Sequence, residues 1–179
     1  VMNIEPKDFP KNIAGLMLSG ILSDTLEFRS PTTTAQDKEL AEKLALVLGV
    51  DMTVYANEMF EAKSDISAFS DEELVKLDSK IFDIKGKQVR ISVIETTNPD
   101  SVLSRYEEIF SSMEKLKVAD SVDAVLMFVV DILNEQATLF TRDEEAKRIS
   151  KEAFGVEATG DTTILPGIVS RKKQIIPLL

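Results

Sequence analysis

Residues 123–131 read DAVLMFVVD, an apolar run closed at each end by aspartate, with the length and the β-branched content of a buried strand. The stretches around this run therefore decide the fold class. Before it, KIFDIKGKQVRISVIET reads as two strands around Lys85-Gly86-Lys87, with Val89, Ile91 and Val93 alternating against Arg90, Ser92 and Ile94. That pattern predicts a hairpin. Asn98 and Pro99 open an amphipathic helix running to about Lys117, ATLF is a further short strand, and RDEEAKRISKEAF returns to helix with Gly155 as its stop. Short β segments are expected to bracket SRKKQ at residues 170–174. The second half of the chain is thus mixed α/β.

The first half has a different period. Residues 12–28, NIAGLMLSGILSDTLEF, are apolar nearly all round and predict a buried helix entered through Pro10. Thr33 with Gln36 predicts a capping box for a second helix that places Leu40, Leu44, Val47 and Leu48 on one face and stops at Gly49. A third helix is expected from Met52 to Ala62. KSDISAFSD, residues 63–71, lacks helical periodicity and marks a domain boundary, after which Ser70 and Glu73 form another capping box.

Among 179 residues there is no cysteine and no histidine. Disulfides, thiolate metal sites, thiol nucleophiles, imidazole bases and the Ser-His-Asp triad are excluded, and any metal held by this chain must take oxygen ligands. With 31 acidic residues against 21 basic ones, the net charge of -10 argues against nucleic acid as a partner. No apolar run reaches the roughly 20 residues of a membrane span, and the first ten residues have neither the basic start nor the apolar core of a signal peptide. A cytoplasmic protein is expected.

Two features depart from this background. Asp24 has apolar neighbours at helical spacing and no Lys or Arg three or four residues away. Either a group outside the helix, such as a metal ion, answers its charge, or the helix frays at Ser23–Thr25 and leaves it exposed. Arg171, Lys172 and Lys173 stand side by side with no adjacent acid, the nearest on the N-terminal side being Asp161. In an extended segment Arg171 and Lys173 would share one side, and at about 7 Å they would repel by about 2 kcal/mol for an effective dielectric near 20. A solvated basic turn and a phosphate site both fit this run. Lys80, just before the first strand of the hairpin, is a weaker candidate.

In order and spacing, IAGLMLSGILSDTLEFRSPTTT, LDSKIF and ILPGIVSRKKQIIPLL resemble the later part of a family II inorganic pyrophosphatase, the manganese-dependent type in the DHH phosphoesterase superfamily. The likeness covers essentially the whole chain. It implies an α/β architecture in which an N-terminal helical segment, residues 1–63, is a remnant of the DHH domain. Residues 64–70 would be a linker, and residues 71–179 a mixed-sheet domain of the DHH-associated type 2.

The resemblance also implies roles. Asp24 would be a metal ligand, and Lys80, Arg171 and Lys172 would grip the phosphates of the substrate, so that the acid-free run SRKKQ finds its partner in pyrophosphate. Ser170 and Lys173 fall inside the motif without an assigned contact. The implied cofactor is manganese, with magnesium as the alternative. The family's histidines and its Asp-His-His triplet belong to the N-terminal part of the enzyme, so most ligands are expected outside this chain, in a preceding DHH domain. The implied activity is hydrolysis of pyrophosphate to two phosphates, by an enzyme that is homodimeric at full length, with this chain alone inactive. An exopolyphosphatase-like DHH phosphoesterase and a non-catalytic phosphate-binding module are the competing readings.

Overall fold

The computed structural model describes residues 9–179, which divide into two compact units, one ending at Lys63 and one spanning Ser64–Leu179. The first unit is helical. Helix α1, Lys11–Thr25, packs on α2, Ala35–Leu48, and on α3, Met52–Lys63. Ala14, Leu18 and Leu22 form the buried stripe of α1, and Ala41, Leu44, Ala56 and Phe60 are buried on the other two helices. Helix α1 is not buried all round as expected, because Leu16 on its other face remains 70% exposed. It also ends at Thr25 rather than Phe28. The capping box of α2 is Thr34 with Asp37 instead of Thr33 with Gln36. The hydroxyl of Thr33 is already committed to the Ser30 carbonyl at 2.7 Å, so the extended Thr34 becomes the cap.

Residues 64–70 pack onto the second unit. Ser64 Oγ accepts from the Thr97 amide at 2.9 Å, and Ile66 joins the apolar core of that unit. Helix α4, Asp71–Leu77, starts at the Ser70–Glu73 capping box. Strand β1, Ser79–Ile84, turns through Lys85 and Gly86 into β2, Lys87–Thr96. Both turn residues have positive φ, 53° and 83°, which is the backbone twist a two-residue hairpin needs and glycine adopts freely.

The helix expected from Asn98 to Lys117 is two helices, α5 at Asp100–Leu103 and α6 at Tyr106–Ala119. The break falls at Arg105, whose guanidinium reaches the Asp71 carboxylate at 2.7 Å and the Phe69 carbonyl at 2.9 Å. The chain then enters β3, Ala124–Asp131, which pairs parallel to β2 and is buried along its full length. Strand β4, Gln136–Phe140, helix α7, Glu144–Phe154, and strand β5, Thr162–Pro166, complete the unit. The strands lie in sequence order β1-β2-β3-β4-β5, antiparallel except for the central β2–β3 pair.

The two faces of this sheet differ. Ile94, Val125, Met127, Val129 and Phe140 pack with α4 and α6 into one core, while Val89, Ile91 and Val93, with the opposite parity, face the other way. Phe128, of that second set, meets Phe154 of α7 edge-on. Among the described residues no helix is long and apolar enough to cross a membrane.

Candidate functional site

Strand alternation puts Lys80 and Phe82 on one side of β1, where they pair with Ile91 and Val89 across the hairpin. That side is met by the end of the chain. SRKKQ is not bracketed by two β segments. Only β5 precedes it, and residues from Arg171 to Ile175 form one wide helical turn that continues through a tighter turn, Ile176–Leu178. Local polar groups explain the turn. Ser170 caps it by accepting from the Lys173 amide at 3.3 Å. Gln174 folds back so that its Oε1 accepts from the Val169 and Ser170 amides at 2.9 and 3.0 Å. The Gln174 side-chain amide then donates to the Gly167 carbonyl at 2.6 Å.

Coiling reverses the expectation for an extended segment. Arg171 shares its aspect with Lys172, not with Lys173: a concavity of about 280 Å³ is lined by Lys80, Phe82, Arg171, Lys172 and Ile176. Three cations therefore border one apolar-floored depression in a chain whose net charge is -10. The expectation that the basic run lacks an acid is corrected by the fold. Arg171 pairs with Asp78, 93 residues away, through Nη2 to the carboxylate and Nη1 to the backbone carbonyl, each at 2.8 Å. The Arg171 side chain is only 16% exposed, whereas Lys172 and Lys80 are exposed. An anion entering here would meet one oriented fork and two exposed point charges.

Asp24 belongs to the other unit and is exposed, next to the end of α1. Its carbonyl accepts from the Thr32 hydroxyl at 3.2 Å. Beyond it, Leu26, Glu27 and Phe28 hold φ of 50°, 50° and 69°, a left-handed run that costs about 1–2 kcal/mol per residue. The Ser30 amide to the Thr25 carbonyl at 2.8 Å, and the Phe28 amide to the Thr25 hydroxyl at 3.2 Å, hold the run in place. No group of three or more His, Cys, Asp or Glu able to hold a metal occurs among the described residues. Asp24 offers one carboxylate, which does not by itself fit a metal pair.

The family model of the DHHA2 domain matches residues 57–179. The chain belongs to the DHHA2 domain family. A Deinococcus radiodurans protein named a probable manganese-dependent inorganic pyrophosphatase is 46% identical over 99% of this chain, and a Bacillus subtilis manganese-dependent inorganic pyrophosphatase is 40% identical over 94%. The chain spans 57% and 54% of the lengths of these two relatives. A solved Methanococcus jannaschii structure assigned to the family II inorganic pyrophosphatases superposes with a TM-score of 0.83 at 35% identity, covering 95% of this chain and 55% of its own. All of Lys80, Arg171, Lys172 and Asp78 lie within the DHHA2 match.

Asp78 and Gln174 are the residues that sequence reasoning passed over. The available signal was small: Asp78 belongs to the same LDSKIF stretch as Lys80, and Gln174 belongs to the motif itself.

Proposed function

We propose that this chain is the substrate-binding part of a manganese-dependent inorganic pyrophosphatase that hydrolyses pyrophosphate to two phosphates. The observation that carries the reading is the concavity in which Lys80 from β1 and Arg171 and Lys172 from the C-terminal turn meet. The names of the relatives support it. Arg171 binds phosphate oxygens in a forked contact, and Lys80 and Lys172 neutralise charge that builds on the departing phosphate. Asp24 supplies one carboxylate to a metal pair, manganese with magnesium as the alternative, whose remaining ligands come from a preceding DHH domain. Residues up to Lys63 are the end of that domain, the enzyme is cytoplasmic and homodimeric, and the chain alone has negligible turnover.

The test uses the full-length protein. Hydrolysis of pyrophosphate, polyphosphate and short oligonucleotides is compared in manganese, for the native protein and for Lys80→Ala, Arg171→Ala and Lys172→Ala. Pyrophosphate is the preferred substrate, and each substitution lowers kcat/KM by about ten- to a thousandfold. Preference for polyphosphate would favour the exopolyphosphatase-like reading, and three unimpaired variants would remove the site from the mechanism.

A further inference from the structure

We propose that Asp78 is the positioning residue for Arg171, fixing the guanidinium towards the phosphate concavity before any anion arrives. The inference rests on the reading of that concavity as a phosphate site. Asp78 does not line the depression, so it acts on an anion only through Arg171. Both of its oxygen functions are engaged: the carboxylate accepts Nη2 and the backbone carbonyl accepts Nη1, each at 2.8 Å. The same carbonyl also accepts from the Val93 amide at 3.0 Å, which ties the pair to the buried strand β2 rather than to a free loop.

A guanidinium carries five N–H donors, and two of Arg171's point at Asp78. Three remain for an incoming phosphate. The planar fork held from one edge presents its other donors in a fixed plane, which is the arrangement a tetrahedral oxyanion can use without first freezing a long side chain. Asp78 also stands two residues before Lys80 and directly precedes β1. One short segment thus supplies a cation of the site and the anchor of another, and it sets the spacing between β1 and the C-terminal turn. The arrangement explains why an arginine with only 16% exposure can serve an open site: its partner directs it instead of quenching it, since the Asp78 side chain is 54% exposed and its charge is partly screened.

The test separates anchoring from charge with two variants that make the same charge change. Asp78→Asn keeps a side-chain oxygen to accept Nη2, and Asp78→Ala does not. Binding of inorganic phosphate to the 179-residue chain, followed by NMR titration, is measured for the native chain, both variants and Arg171→Ala. The order of the Arg171 guanidinium in the phosphate-free chain is read from its side-chain nitrogen signals. The expected results are a slowly rotating guanidinium in the native chain and Asp78→Asn, an averaged one in Asp78→Ala, and phosphate binding about three- to tenfold weaker in Asp78→Ala than in Asp78→Asn. Equal affinities in the two Asp78 variants, with Arg171→Ala weakened, overturn the positioning role alone. Native phosphate affinity in Arg171→Ala overturns the phosphate site and the inference with it. Unchanged backbone amide spectra away from the site establish that each variant is folded.

Discussion

Replacing Gln174 by alanine removes the side chain that shapes the basic turn. Three hydrogen bonds are lost: the amides of Val169 and Ser170 lose their shared acceptor, and the Gly167 carbonyl loses a donor. Val169 and Ser170 are 4% and 8% exposed, so their N–H groups lie where an unsatisfied donor is costly, about 1–3 kcal/mol each in a dry site. Gln174 itself is half-buried, and water can enter the space it vacates. The net loss is therefore expected near 1–2 kcal/mol for the turn, roughly a tenfold increase in its local opening. Amide hydrogen exchange reads this directly. The Val169 and Ser170 amides should exchange about tenfold faster in Gln174→Ala, with no comparable change at Leu126 in the central strand. Gln174→Glu keeps the accepting oxygen and should retain most of the protection. Native exchange rates at Val169 and Ser170 in the alanine variant would refute the view that this side chain holds the turn.

Other expectations concern the body of the second unit. The Glu145 carboxyl is pulled down to about 2, chiefly by its hydrogen bonds from Arg148 and also by Lys87, against the opposing effect of burial. Its contribution to stability is complete above the unfolded value near 4.5 and fades as pH falls towards 2; urea midpoints should drop more steeply over that window in the native chain than in Glu145→Gln, and parallel curves would contradict this. The Tyr106 hydroxyl is buried without a partner and its pKa is pushed up to about 12, first by burial, so Tyr106→Phe should leave thermal stability equal or higher. Phe140, 1% exposed and packed on Tyr106 at 4.6 Å, should cost about 3–5 kcal/mol in chemical denaturation when changed to alanine.

Elements governed by local chemistry were legible before the structure. The Lys85-Gly86 hairpin, the Gly49 and Gly155 stops, the Ser70–Glu73 cap and the buried strand at residues 124–131 each follow from side chains within a few positions of one another. What escaped depends on distant partners. The break between α5 and α6 is made by Arg105 reaching Asp71, and nothing in the helical period of residues 100–117 announces it. The apolar residues around SRKKQ suggested β structure, yet Gln174 bonding back to Val169, Ser170 and Gly167 coils the segment. Residue type points to the run Arg171, Lys172 and Lys173, and the resemblance to family II pyrophosphatases singles out Lys80, Arg171 and Lys172. Neither reveals that Arg171 is tied to Asp78, because that partner lies 93 positions away in the chain and is brought close only by the fold.

If the cations on β1 and on the C-terminal turn make one phosphate-binding depression, pyrophosphate should perturb them together. Titrating pyrophosphate into the isotopically labelled chain and mapping amide and side-chain NMR shifts tests it most directly. Saturable shifts are expected, concentrated at Lys80, Phe82, Arg171, Lys172 and Ile176 and abolished together by Arg171→Ala. Shifts spread over unrelated lysines, or confined to the turn with Lys80 and Phe82 unmoved, would contradict it.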